Sequence, residues 1–202
     1  MPGFSRTCET VVWWGGRGHT RAQAFFAEPG EYRLKARYRD LDGTFVESAP
    51  VVVRVVPPPS EDDGAYQVTL RRSAEAGRFF LRPSGGAGKR ADELREFAAQ
   101  FGDSRYATYA RFALGRGLGW SHEPDDRAEA IALLKLAVED RSWALRRHGL
   151  YELITVLSAG ELEALQDASG YLSQLRRDYP DAERIGELEA MVRRAQTTAP
   201  VP

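Results

Sequence analysis

The sequence predicts an α+β protein in two segregated parts, a short antiparallel sheet followed by an all-helical array, and three observations carry that expectation. Up to about residue 57 apolar and polar residues alternate, and from about residue 65 the apolar ones recur every three or four positions. Between these regions lies VVPPPSEDDG, residues 55–64, whose three prolines stiffen the chain and block strand pairing before an acidic run. The expected organisation is a β part over 1–57, a linker over 58–64 and a helical part over 65–202.

The β part is read from its clearest strand. In EYRLKARYRD, residues 31–40, Tyr32, Leu34, Ala36 and Tyr38 alternate with Arg33, Lys35, Arg37 and Arg39, which gives one buried and one wet face. LDGT at 41–44 supplies Asp-Gly turn chemistry, and FVESAPVVVRVV returns as the partner, so a hairpin is expected. Upstream, ETVVWW and RAQAFFA are further strand candidates separated by the glycine-rich GGRGHT.

In the helical part, residues 65–82 are read as helix although Tyr66, Val68 and Leu70 alternate. Leu94, Phe97, Ala98 and Phe101 of ADELREFAAQF share one helical face. Ile131, Leu134 and Val138, then Leu150, Leu153, Ile154 and Leu157, do the same on two helices around Asp140-Arg141-Ser142. Ser158 and Glu161 fit a capping box opening a helix with Leu162, Leu165, Leu172 and Leu175, which Tyr179-Pro180 ends. A last helix is expected from about Asp181 through Ile185, Leu188, Met191 and Val192, and the TTAPVP tail should fray.

The helical part repeats itself. LREFAAQFGDS at 94–104 aligns with LSQLRRDYPDA at 172–182, so that Leu94 meets Leu172, Phe97 meets Leu175, Phe101 meets Tyr179 and Asp103 meets Asp181. The offset is 172 − 94 = 78 residues, and its half, 39, suits a helical-hairpin repeat with a middle unit between. In FGDSRYATYARFALGR, residues 101–116, Asp103 or Ser104 is placed to cap the second helix, and Ala107, Ala110, Ala113 and the following Gly117 permit close packing.

Two resemblances follow from these stretches. EPGEYRLKARYRDLDGTFVESAPVVVRVVPP resembles the last two strands of an immunoglobulin-like β-sandwich, with Tyr32, two residues after Gly30, placed like the tyrosine of a tyrosine corner. Such a sandwich has about seven strands and about 100 residues. The resemblance therefore implies either a minimal or partner-completed sheet, or the C-terminal piece of a longer protein, and the second is favoured. FGDSRYATYARFALGR and YPDAER resemble the tetratricopeptide family over residues 90–196, in the variants of bacterial envelope assembly factors, with Gly102 at the usual proline and Ala182 at the usual serine. That resemblance implies protein or peptide binding on a concave surface and, for a truncated piece, an extracytoplasmic location.

The remaining chemistry is sparse. With 28 basic and 29 acidic residues the net charge is −1, so the global electrostatics make no case for nucleic acid or an anionic membrane. Basic residues are almost all arginine, with lysine only at 35, 89 and 135, and asparagine is absent, which fits a GC-rich genome. Cys8 stands alone, so neither an intrachain disulfide nor a cysteine metal site is expected. No run is long and apolar enough to span a membrane, and MPGFSRTCETVV lacks the pattern of a signal peptide. SGGAGKR at 84–90 has Pro83 and Arg90 where a phosphate-binding loop needs glycine and Ser or Thr.

His19, His122 and His148 have no metal-ligand spacing, and no nucleophile elbow occurs. Asp62-Asp63 and Asp125-Asp126 are read as favouring helix starts, and Arg146, Arg147 and His148 as a solvated face. No catalytic, cofactor or metal residue is assigned. The partner-binding candidates are Tyr109, Arg116 and Trp120 on the helical part and Trp14 on the β part. The expected function is a non-catalytic protein or peptide interaction module. The alternative is a targeting tail of a larger secreted hydrolase, with carbohydrate or envelope binding by the β part.

Overall fold

The computed structural model describes residues 14–15, 23–24, 29–39, 42–71, 88–160 and 162–198, and the chain divides into two compact units, 1–74 and 75–202. Strands occupy the first unit and helices dominate the second, which makes the protein a mixed α+β chain. Cys8, Trp13, His19, Glu161, most of ETVVWW, RAQAFFA and SGGAGKR, and the last four residues lie outside the described residues.

In the first unit β1 (Trp14–Gly15) pairs antiparallel with β2 (Gln23–Ala24). The hairpin at 30–55 is built from two ladders. The outer one pairs β3 (Gly30–Leu34) with β6 (Val51–Val55), and the inner one pairs β4 (Arg37–Arg39) with β5 (Phe45–Glu47).

Leu34 faces Val51 whereas Arg37 faces Glu47, so two residues on the first strand oppose three, Ser48 to Pro50, on the second. This is a bulge. It sits where Pro50 has no N–H to give to a ladder, and Ser48 fills the gap by donating its N–H to the Ala36 carbonyl and accepting the Ala36 N–H on its hydroxyl. The extra residue shifts the second strand's parity and keeps Val46, like Val53, on the face shared by Tyr32 and Leu34. At the tip, Gly43 takes a φ of +88° and Asp42 accepts the Thr44 N–H at 2.7 Å. Past the prolines a short 3-10 turn, Ser60–Asp62, leads into α1 (Asp63–Arg71), which realises the first part of the helix expected over 65–82; residues 72–82 lie outside the described residues.

Among the described residues the second unit holds α2 (Gly88–Gln100), α3 (Arg105–Leu118), α4 (Pro124–Glu139), α5 (Arg146–Ser158), α6 (Leu162–Asp178) and α7 (Ile185–Thr198), each packed against the next. They form three hairpins in a regular register. Helices α2, α4 and α6 end at Gln100, Glu139 and Asp178, 39 residues apart each time. Helices α3, α5 and α7 end at Leu118, Ser158 and Thr198, 40 apart.

The turns within the hairpins repeat bond for bond. Ser104, Trp143 and Ala182, again 39 apart, donate their N–H groups to Phe101, Asp140 and Tyr179, and their carbonyls accept from Ala107, Arg146 and Ile185. All three turn residues are buried, as are Leu114, Leu153 and Val192 at the matching place on the second helices.

Local chemistry explains where the helices begin. Ser104 caps α3 by accepting the Tyr106 N–H at 3.1 Å, and Pro124 opens α4 with Asp125 and Asp126 in its first turn.

Two expectations need correction. Ser158 does not cap α6: it is the last residue of α5, buried, and its hydroxyl donates to the Ile154 carbonyl at 2.7 Å. The last helix starts at Ile185 rather than Asp181, because the repeated turn takes up residues 181–184. Among the small residues of α3, Ala107, Ala110 and Ala113 are fully buried, and Gly115 marks a further close approach, where a Cβ would lie 2.9 Å from Leu134 and 3.1 Å from the Ala130 carbonyl.

Candidate interaction surface

The candidate residues of the helical unit fall along the seam between α3 and α5. Tyr109 sits near its start, half-buried, with its ring edge-on to Trp143 at 5.7 Å, and burial pushes its phenol up. Phe112 meets the same indole at 5.0 Å. One turn further, Arg116 reaches Glu152 of α5 at 3.2 Å.

The seam closes at Gly119, where a Cβ would come within 2.6 Å of Val156, and Arg127 donates to the Val156 carbonyl at 3.1 Å. Trp120 follows at once and is 72% exposed. Of the three, Tyr109 is part of a packed aromatic cluster, Arg116 faces solvent beside an acidic partner, and Trp120 offers the large apolar surface. Trp14 lies on β1, and its side chain is outside the described ones.

A second surface runs across the first helices. Arg95 of α2 makes a two-pronged bond to Glu129 of α4, at 2.8 and 2.6 Å, which holds the guanidinium above its ordinary range. Lys135 of α4 reaches Asp167 of α6 at 2.7 Å, and this bond raises the ammonium. These pairs, 34 and 32 residues apart, tie first helix to first helix. Neither was singled out in the sequence, although a cation and an anion about one repeat apart are a readable signal.

The middle unit breaks the repeat. Leu133 and Leu136 stand 39 residues after Leu94 and Phe97, yet Leu133 is half-buried and Leu136 is 49% exposed, while Leu134 and Ala137 are buried instead. Helix α4 is thus turned by one residue, and an apolar edge faces out beside the ion pairs.

The expected solvated cluster at 146–148 is different in kind. Arg146 is buried and donates to the Val138 carbonyl at 2.7 Å and to Asp178 at 2.8 Å, joining the ends of α4 and α6 to the start of α5. The guanidinium neutralises two helix C-termini. Burial opposes its charge, but Asp178 and Tyr179 outweigh that, and Arg146 in turn holds the Asp178 carboxyl below the usual carboxylate range. His148 packs edge-on against Tyr151 at 5.9 Å.

Among the described residues no group of three or more His, Cys, Asp or Glu is arranged to hold a metal ion, and no helix is long and apolar enough to cross a membrane. No known family matches the chain, and neither a curated protein nor a solved structure does.

Proposed function

We propose that this chain is a non-catalytic interaction module whose helical hairpins, of the tetratricopeptide kind, bind a protein or peptide, and whose β part is the end of an immunoglobulin-like sheet. The observation that carries the reading is the turn repeated three times at 39-residue spacing with the same backbone bonds and the same burial. Units of this sort cannot bury their apolar stripes singly, and stacking them leaves extended outer faces whose residues are free to vary. The exposed Trp120 at the end of the α3–α5 seam is the anchor on such a face, since aromatic side chains supply large contact area at small entropic cost.

The test is retention of partners from lysate and envelope fractions on the immobilised full chain, run beside Trp120→Ala after both proteins have been shown to melt alike. The reading expects a specific protein that the wild type holds and the variant releases. A monodisperse protein that holds no partner, or a partner held equally by both, sinks it.

A further inference from the structure

The near-zero net charge of the chain hides a local segregation on the hairpin. Strand alternation sends Arg33, Lys35, Arg37 and Arg39 to one face of its first strand, and Arg54, opposite Glu31, joins them from β6. Among the described residues the anions on that face are Glu31 and Glu47, the latter 3.6 Å from Lys35 and 3.8 Å from Arg37. Five cations against two anions leave +3 on one side of a two-stranded ribbon, and Arg33, Lys35, Arg37, Arg39 and Arg54 are all exposed.

Among them sits Phe45, 55% exposed, with the Arg37 guanidinium 4.0 Å above its ring. The opposite face carries Tyr32, Leu34, Val46 and Val53, all partly buried, and Val51, which is exposed, so one face is charged and the other apolar.

We propose that this face binds single-stranded nucleic acid along the ribbon, independently of the helical hairpins. Alternate residues on a strand lie about 6.7 Å apart, so Arg33 to Arg39 present a single file of cations some 20 Å long, matched to a linear polyanion rather than a compact one. Four of the five are arginines, whose forked donors suit phosphate oxygens. Phe45 adds what a phosphate chain with bases uses and a sulfated sugar does not: an aromatic face, open once Arg37 swings from the ring to a phosphate. A membrane fits less well, because the hairpin tip that would enter the headgroups carries Asp42.

The experiment is anisotropy of a labelled 20-mer of deoxythymidine or uridine with the full chain over a salt series. Binding is expected, with log K falling linearly in log salt at about −0.7 per phosphate neutralised. Arg33→Gln with Arg37→Gln, and separately Lys35→Gln with Arg54→Gln, should each flatten that slope by about 1.4. Phe45→Ala should weaken binding about fivefold or more at an unchanged slope. Arg193→Gln with Arg194→Gln on α7 should change nothing.

Far-UV spectra and melting of each variant show that the hairpin is intact. Absence of binding at low salt, or binding indifferent to the hairpin variants, overturns the proposal. So does an unchanged affinity in Phe45→Ala, or capture by a sulfated polysaccharide or by phosphatidylserine vesicles where the oligonucleotide is not captured.

Discussion

Single residues settle several questions that their types leave open. Gly149 and Gly170 are both helical glycines, yet a Cβ on Gly149 would meet Trp143 at 2.8 Å and Val138 at 2.9 Å, while one on Gly170 would meet nothing within 4 Å. Gly149→Ala should therefore destabilise by about 1–3 kcal/mol through overpacking. Gly170→Ala should stabilise by about 0.5–1 kcal/mol, because the helix gains propensity and the unfolded chain loses freedom. Urea denaturation of the two variants checks both signs.

Arg146 gives a third residue-level prediction. Arg146→Met should cost about 2–3 kcal/mol, the worth of charge-assisted bonds in a buried setting. Its partner sets a pH dependence. Asp178 has a folded pKa below its unfolded value of about 3.9, so its contribution is fully present above that value and lost as pH falls through the folded pKa. Asp178→Asn should flatten the acid limb of the stability curve, as read by denaturation between neutral pH and the acid transition.

Elements show how far the sequence reaches. The alternation in EYRLKARYRD and the Asp-Gly pair are enough to place the hairpin, and Gly43 takes the positive φ that the turn demands. Gly43→Ala should cost about 1–2 kcal/mol, measurable as a lowered melting temperature of the hairpin signal. The bulge at Ser48–Pro50 is less legible, because its only local mark is a proline and the parity change emerges only once both ladders are paired.

The same limit explains the helices. Apolar spacing locates α2, α4, α5 and α6 and their core leucines, and Ser104 is a cap in fact as in pattern. Ser158 followed by Glu161 has the fuller capping pattern, but its hydroxyl is taken by its own helix, a choice made by tertiary burial rather than by sequence. The burial of Arg146 follows from carbonyls and a carboxylate brought together by three helices, which no local window contains.

At the scale of the whole molecule, the two units differ in kind. The β unit carries the segregated charge and the helical unit carries the repetition. The half-period inferred from an offset of 78 reappears as helix ends 39 residues apart, so the repeat was legible from Leu94, Phe97, Phe101 and their counterparts. The exposure of Leu136 was not, because the 39-residue repeat sets it at the place of the buried Phe97, although the spacing of Ile131, Leu134 and Val138 does put Leu134 on the buried face.

An array of like units has a distinct energetic signature, since each is stabilised mainly by its neighbours. Amide hydrogen exchange across residues 88–198 reads it most directly. The account predicts graded protection, greatest in α4 and α5 of the middle hairpin and lower in α2 and α7, with the Ser104, Trp143 and Ala182 amides each following its own hairpin. A single common rate for the slow amides of all six helices would contradict the array and leave one cooperative globular core in its place.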